Sequence, residues 1–217
     1  HSLLGPAGGA SLYPEVSSVI LSATEGLGSA PAATFHEPEP GADLREAAAA
    51  VAALDAAEKM SGSVDVLVNS AGAAKRTPAP ELTPQAWQDA MQAKYFSYIH
   101  MMDPVIKRMA AKGKGSIVNV VGNGGKVASP IHLPGGAANA ALMLATAGLA
   151  NAYAAQGIRV NAINPGLTRT DRLKEGMAAD ARLQGIETDE AMKRAVAKIP
   201  MGRMAEPEEI ARVVLFL

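Results

Sequence analysis

The chain has 217 residues, enough for one α/β domain with a sizeable hydrophobic core. It carries 20 basic and 21 acidic residues, so its net charge is −1, and no long run of one sign occurs. This balance argues against nucleic acid and against an anionic membrane as partners. Cysteine is absent, which excludes disulfides and thiolate metal sites and fits the reducing cytoplasm, where we expect the protein.

One stretch, from Val127 to Gly157, contains no charged residue and resembles a membrane span in its length. It is rich in Ala and Gly, which supply little transfer energy to lipid. We therefore expect a helix of a folded core, packed through small residues, in preference to a membrane helix.

Strands and helices alternate along the chain. Short apolar runs ended by turn residues predict strands at Val64–Asn69, Ser116–Val121 and Ile158–Ile163, with weaker candidates at His1–Leu4, Ser18–Ser22 and Ala32–His36. Helices are predicted at Asp43–Met60, at 84–111 with a kink or break near Asp103 and Pro104, at 136–155, and from Glu206 onward.

This alternation predicts a three-layer, doubly wound α/β fold with a mostly parallel sheet, whose ligands bind at the carboxyl ends of the strands. We expect a single domain over residues 1–217. Residues 168–198 lack strand signals and are predicted to form a helical insert, or lid. The strands at both ends of the chain look incomplete, either because the chain is truncated or because segments are missing.

Two short motifs identify a family. The sequence Asn-Ser-Ala-Gly at 69–72 follows one predicted strand, and Asn-Pro-Gly-Leu-Thr-Arg-Thr at 164–170 follows another. With the segment at 115–139 they resemble the short-chain dehydrogenase/reductase family, over roughly residues 60–175. The resemblance implies a Rossmann-like fold and an NAD(P)(H)-dependent oxidoreductase that acts on a carbonyl or a secondary alcohol.

The resemblance also implies which residues bind the cofactor. The turn at 4–11 is similar to the family's glycine-rich loop, whose backbone approaches the pyrophosphate, although a simple Pro/Gly turn is the alternative. Glu37 falls near the residue that approaches the adenine, but the choice between NAD and NADP stays open. The expected cofactor-binding residues are Gly5, Gly9, Ser11, Glu37, Asn69, Ala71, Gly72, Pro165, Gly166, Thr168 and Thr170.

The family's reactive groups are missing. The resemblance places Gly122 at the family's Ser, Gly135 at its Tyr and Asn139 at its Lys. In the family the Tyr hydroxyl transfers a proton, the Lys lowers the pKa of the Tyr and holds the ribose, and the Ser polarises the carbonyl. Through Trp87, Lys94 falls where the family has an Asn, so that Lys and Asn are exchanged between positions 94 and 139.

Four residues are therefore candidates for the chemistry. Lys94 would restore positive charge near the ribose, or it is only a solvated side chain. His132 titrates in the neutral range and would replace the Tyr, or it is a surface or core histidine. Asn123 follows the lost Ser and would donate a hydrogen bond to an oxyanion, while Asn139 would bond a ribose hydroxyl. No metal-ligand cluster is recognisable in the sequence.

Two functions of different class remain open from the sequence. One is an oxidoreductase with a non-standard active site, and the other is a catalytically inactive nucleotide-binding, regulatory or scaffold protein. We expect a small-molecule substrate, and we expect a homodimer or homotetramer formed through helices 84–111 and 136–155, because small-residue helix faces allow close approach.

Overall fold

A computed structural model describes residues 18–23, 33–36, 42–70 and 75–217. The strands are β1 Ser18–Ala23, β2 Ala33–His36, β3 Val66–Asn69, β4 Gly115–Val120 and β5 Ile158–Ile163. The helices are α1 Ala47–Ser61, α2 Pro84–Ala90, α3 Ser97–Lys112, α4 Leu133–Tyr153, α5 Asp171–Gln184, α6 Thr188–Ala197 and α7 Pro207–Phe216. The candidate strand His1–Leu4 lies outside the described residues.

The sheet has the strand order β2-β1-β3-β4-β5 and is parallel only in part. Strands β3, β4 and β5 are parallel neighbours, as predicted. Strand β1 is antiparallel to both β2 and β3, which the sequence did not indicate. The apolar pattern of a strand reports its burial and not its direction, so this antiparallel edge could not be predicted from composition.

The main core lies on one face of the parallel strands. Leu67 on β3, Ile117 on β4 and Val160 on β5 are aligned in register, so their side chains point to the same face. All three belong to one buried cluster with side chains of α1, α3 and α4. This packing fixes the carboxyl ends of the three strands beside the first turn of α4.

The predicted long helix is interrupted earlier than expected. A π-helical segment, Met91–Phe96, separates α2 from α3, whereas Pro104 lies inside an unbroken α3. Of the kink or break predicted near Asp103 and Pro104, the break is therefore wrong. Buried side chains on both sides of the proline, such as Met101 and Val105, hold the helix in place despite the missing N–H.

Helix α4 begins three residues before the predicted start, because Pro134 occupies its first turn without needing an N–H partner. The stretch Leu133–Gln156 is the one helix in the described ranges that is long and apolar enough to cross a membrane by length and composition alone, a test that core helices also pass. Its buried face consists mostly of small residues and packs against β5, while Leu144 on the other face is 77% exposed.

The remaining helices agree with the predictions in type. Residues 168–198 are helical where they are regular, as α5 and α6, and these two helices pack on each other. Helix α1 begins four residues later than predicted, at Ala47, because the Asp43 carboxylate bonds the Arg45 side chain instead of capping the helix. Helix α7 begins with Pro207 in its first turn, as predicted.

Candidate functional site

A chain of buried amides ties the carboxyl ends of β3 and β4 to α4. Asn69 Nδ2 donates to Asn119 Oδ1 at 2.9 Å, and Asn119 Nδ2 donates to Thr146 Oγ1 at 3.0 Å. The Thr146 hydroxyl in turn donates to the Leu142 carbonyl at 2.7 Å. Asn69, which was predicted to bind the cofactor, therefore joins the two adjacent strands β3 and β4.

The loops that follow β4 and β5 are also joined. Val121 N donates to Ile163 O, and Asn123 N donates to Pro165 O, each at 2.9 Å. The Asn123 side chain is left exposed at this edge. Two predicted cofactor-binding residues, Pro165 and Gly166, are thus brought beside the loop that carries the lost Ser position.

Gly122 has a backbone that favours glycine strongly. Its φ of +124° and ψ of 145° lie in a region that side-chain-bearing residues rarely adopt. A Cβ at this position would also stand 3.1 Å from Asn139 Nδ2. The family's Ser is therefore disfavoured here by backbone strain as well as being absent from the sequence.

The imidazole of His132 occupies the space of a side chain at Gly135. His132 is the N-cap of α4, and an N-cap side chain naturally reaches the residue three positions later, which is Gly135. A Cβ built on Gly135 would stand 2.6 Å from His132 Nε2 and closer still to Cε1. A Tyr at this position would collide with the ring.

The side chains of His132 and Asn139 both lie close to Gly124. A Cβ at Gly124 would be 3.7 Å from His132 Nε2 and 3.5 Å from Asn139 Nδ2. A Cβ at Gly136 would be 2.8 Å from Gly124 O, so the two backbones are in close contact. Asn139 is only 5% exposed, and its amide has no hydrogen-bond partner among the residues that the structure describes.

Lys94 is a buried cation at the end of β4, and it is only 7% exposed. Its Nζ donates to Tyr98 Oη at 2.8 Å and to Val120 O at 3.1 Å, and it lies 4.3 Å from the centroid of the Tyr98 ring. The alternative that Lys94 is a solvated side chain is therefore wrong. The contact with Tyr98 was missed in the sequence, although a Lys and a Tyr four residues apart share one helix face.

The helical insert approaches the same edge. The Arg76 side chain lies against Gly176 of α5, where a Cβ would stand 2.6 Å from Arg76 Nε. The next residue, Thr77, donates its N–H to Ile131 O at 3.0 Å, directly before His132. Helix α5 and the loop after β3 thus meet beside the turn that carries the imidazole.

The other predicted residues are placed as follows. Thr168 forms an isolated bridge with Ala205, and Thr170 is the N-cap of α5 without a side-chain capping bond. Arg169 pairs with Glu206 through a 3.0 Å contact. In the described part of the chain, no group of three or more His, Asp or Glu side chains could hold a metal. The predicted residues outside the described ranges are Gly5, Gly9, Ser11, Glu37, Ala71 and Gly72.

A family model described as enoyl-(acyl carrier protein) reductase matches residues 24–217. The chain is 34% identical to D-threitol dehydrogenase of Mycolicibacterium smegmatis over 178 residues, which are 81% of this chain and 64% of that protein. It is 33% identical to acetoacetyl-CoA reductase of Rhizobium meliloti over 156 residues, or 72% of this chain and 61% of the relative. The chain belongs to the short-chain dehydrogenase/reductase family.

Solved structures agree with this assignment. A variant of actinorhodin polyketide ketoreductase with NADPH superposes with a TM-score of 0.76 at 30% identity, over 81% of this chain and 68% of that one. NAD+-bound xylitol dehydrogenase gives a TM-score of 0.77 at 23% identity, over 81% of this chain and 70% of that one, which shows the shared fold. The predicted family and Rossmann-like α/β fold are therefore confirmed. The chain spans less than two thirds of the length of the two curated relatives named above.

Proposed function

We propose that this protein is an NAD(P)(H)-dependent oxidoreductase that acts on a carbonyl or a secondary alcohol, with His132 in place of the family's Tyr. The observation that carries the proposal is the imidazole of His132, which occupies the space of a side chain at Gly135. An imidazole changes charge in the neutral range and can both give and accept a proton.

The surroundings of the two glycines at the reactive positions favour a site in which another residue carries the proton over a site that has only lost its reactive side chains. Loss of a large side chain by drift leaves a space that its former neighbours fill only in part. At Gly135 that space is filled by a titratable ring, and at Gly122 the backbone has a conformation suited to glycine. Both substitutions therefore fit their surroundings, as expected of a site in which a different residue carries the proton.

The strand ends also fit a bound dinucleotide. Asn164, directly after β5, has a buried Oδ1 that accepts no hydrogen bond from the described residues. Buried polar atoms without protein partners are uncommon, so ligand groups are expected to satisfy them. Asn139 and Lys94 would hold the ribose, and Asn164 would accept a bond from a donor group of the ligand.

The chemistry divides between the cofactor and the chain. A bound reduced nicotinamide supplies the hydride that the carbonyl carbon accepts. His132 gives a proton to the carbonyl oxygen as the alcohol forms, and it takes the proton back in the oxidation. The exposed Asn123 amide donates a hydrogen bond to the same oxygen in place of the Ser hydroxyl.

The relatives suggest which substrates to try first. The two curated relatives act, by their names, on acetoacetyl-CoA and on a polyol. We therefore expect either a β-ketoacyl thioester or a polyhydroxylated alcohol as substrate. Helix α5, which packs against Arg76 beside the His132 turn, would cover the bound substrate as a lid.

The test is a calorimetric titration with NADH and NADPH, followed by turnover assays with acetoacetyl-CoA and with threitol and xylitol. We expect one cofactor to bind with micromolar affinity and one substrate class to be turned over. Failure to bind either dinucleotide would contradict the proposal.

The second candidate is a nucleotide-binding protein without turnover. The sequence favours it in one respect, because no hydroxyl remains at positions 122 and 135 and no ammonium at position 139. Removing an acid–base group and an oxyanion donor together lowers rates by several orders of magnitude. Tight cofactor binding with no turnover on a broad carbonyl and alcohol panel would support this candidate.

We also propose that the protein is a cytoplasmic homodimer or homotetramer. Trp87 and Phe96 are about two fifths exposed and line an apolar groove along α2 and the π-helical segment, and Leu144 is exposed on α4. Exposed apolar faces of this kind mark contact surfaces. Leu144→Arg should yield monomers in light scattering, whereas an unchanged mass would exclude this face. Cell fractionation would test the location.

A further inference from the structure

Tyr98 contacts the Lys94 ammonium in two ways. Its hydroxyl oxygen accepts from Lys94 Nζ at 2.8 Å, and its ring lies below the same atom, 4.3 Å from the centroid. Both contacts are made to the ammonium of a lysine that is only 7% exposed. A phenylalanine would supply the packing and the ring face but not the oxygen.

The Tyr98 hydroxyl also anchors the cation to the sheet. It donates to Val120 O at 2.7 Å while Lys94 Nζ donates to the same carbonyl at 3.1 Å. Val120 is the last residue of β4, two positions before Gly122. The three groups form a closed triangle at the ligand-binding end of the strand, so the direction of the Lys94 side chain is fixed.

The π-helical segment explains how Lys94 reaches this position. Lys94 is the fourth residue of Met91–Phe96, which packs against α4, the helix that carries Asn139. A π turn inserts a residue into a helix and redirects side chains, and it occurs often at functional sites. Tyr98 itself is fully buried and lies one turn later on regular α3, so it does not touch a ligand.

We propose that Tyr98 is a positioning residue that holds Lys94 at the end of β4, where its charge acts on the sugar-phosphate part of a bound dinucleotide. This inference rests on the proposed function. It assigns to a Lys–Tyr pair on the long helix the charge that the family takes from position 139.

The test is a double-mutant cycle read out as the dissociation constant for NADPH and for NADH. Lys94→Met should weaken the preferred cofactor by about 10- to 100-fold, as expected for a lost charge-assisted interaction. Tyr98→Phe should weaken it by about 3- to 10-fold because the cation loses its fixed direction. In the Lys94→Met background, Tyr98→Phe should change the dissociation constant by less than twofold.

Three controls separate positioning from folding. Lys94→Arg should retain affinity within a few-fold, because it keeps the charge, and Lys94→Gln replaces Lys94→Met in the cycle if the methionine variant does not fold. Tyr95→Phe changes a tyrosine of the π-helical segment that is next to Lys94 and contacts Phe96, and it should leave the dissociation constant unchanged. Thermal melts of every variant report stability separately, and a purely structural Tyr98 would lower the melting temperature without changing cofactor affinity.

Two results would overturn the inference. One is an equal effect of Tyr98→Phe in both backgrounds, and the other is wild-type affinity in both single variants. If the wild-type protein binds neither dinucleotide, the proposed function fails first and this inference fails with it. Binding without coupling between the two residues would overturn the inference alone.

Discussion

The strand ends and the first turn of α4 lie side by side but relate differently to the family. At the strand ends, Asn69, Asn119 and Thr146 form a buried chain of hydrogen bonds that ties β3, β4 and α4 together. At the start of α4, Gly135 and Asn139 stand where the family has its Tyr and Lys, and the His132 ring lies over Gly135. The two regions thus differ: the buried hydrogen bonds at the strand ends are complete, whereas the start of α4 lacks the family's Tyr and Lys and carries an imidazole over Gly135.

Restoring the family's tyrosine at position 135 should have the largest effect on the protein. Gly135→Tyr should lower the free energy of unfolding by about 3 kcal/mol and abolish turnover, because the His132 ring occupies the required space. Urea unfolding measures the effect, and adding His132→Gly should recover most of the lost stability. Gly148→Tyr is the control in the same helix, since a Cβ there meets nothing within 4 Å. Wild-type stability of Gly135→Tyr would show that the ring does not fill the site.

Disrupting the buried hydrogen bonds of Asn69, Asn119 and Thr146 should lower the stability of the protein. Asn119→Ala removes the centre of the buried chain and deletes its hydrogen bonds with the Asn69 amide and the Thr146 hydroxyl. We expect a loss of about 2 kcal/mol in chemical denaturation, since buried polar groups lose a hydrogen bond that water does not replace. The exposed Asn151→Ala should change nothing. Equal effects of the two substitutions would show that the buried hydrogen bonds of Asn119 do not stabilise the fold.

Restoring the family's serine at Gly122 should have a smaller effect on stability. Gly122→Ser should lower stability by about 1–2 kcal/mol without raising activity, because φ is +124° at this residue. The same denaturation experiment measures it, and Gly148→Ser is a suitable control. A variant that is both stable and more active would mean that the backbone turn adapts to the family's residue.

The smallest effect lies far from the site, at the start of α7. Hydrogen bonds from the Arg203 side chain and the Glu206 backbone lower the pKa of Glu209 from 4.5 to about 2. Because the folded pKa is the lower one, this group adds stability above its unfolded pKa, and that stability is lost as the pH falls through the folded pKa. Glu209→Gln should therefore weaken the pH dependence of the melting temperature between about pH 5 and pH 2.

A control on the same turn tests the cause of this pH dependence. Glu208→Gln removes a neighbouring carboxylate outside the capping box and should leave the pH dependence as it is. Turnover at neutral pH should be unchanged in both variants. Identical acid melting curves for wild type and Glu209→Gln would contradict the role assigned to the capping box.

The sequence predicted the strands and the loops that follow them better than it predicted the arrangement at the start of α4. The apolar runs at β4 and β5 and the motifs after β3 and β5 are local, and local patterns determine strands and loops. His132 was a candidate because it titrates, but its position over Gly135 depends on the side-chain direction at a helix N-cap. The burial of Lys94 depends on a π turn and on Tyr98, and no periodicity indicates a π turn.

We propose that His132 moves the proton in the reaction. The measurement that tests it most directly is the single-turnover rate of carbonyl reduction at saturating reduced cofactor, in wild type and in His132→Gln. We predict a fall of about 10²- to 10⁴-fold with the cofactor dissociation constant unchanged within a few-fold, because the amide keeps the shape but does not transfer the proton. The control is Lys126→Gln, which removes an exposed cation from the same loop. Loss of acid–base catalysis lowers a rate by ~10²-fold or more. A His132→Gln rate within about threefold of the wild-type rate would therefore contradict this role of His132.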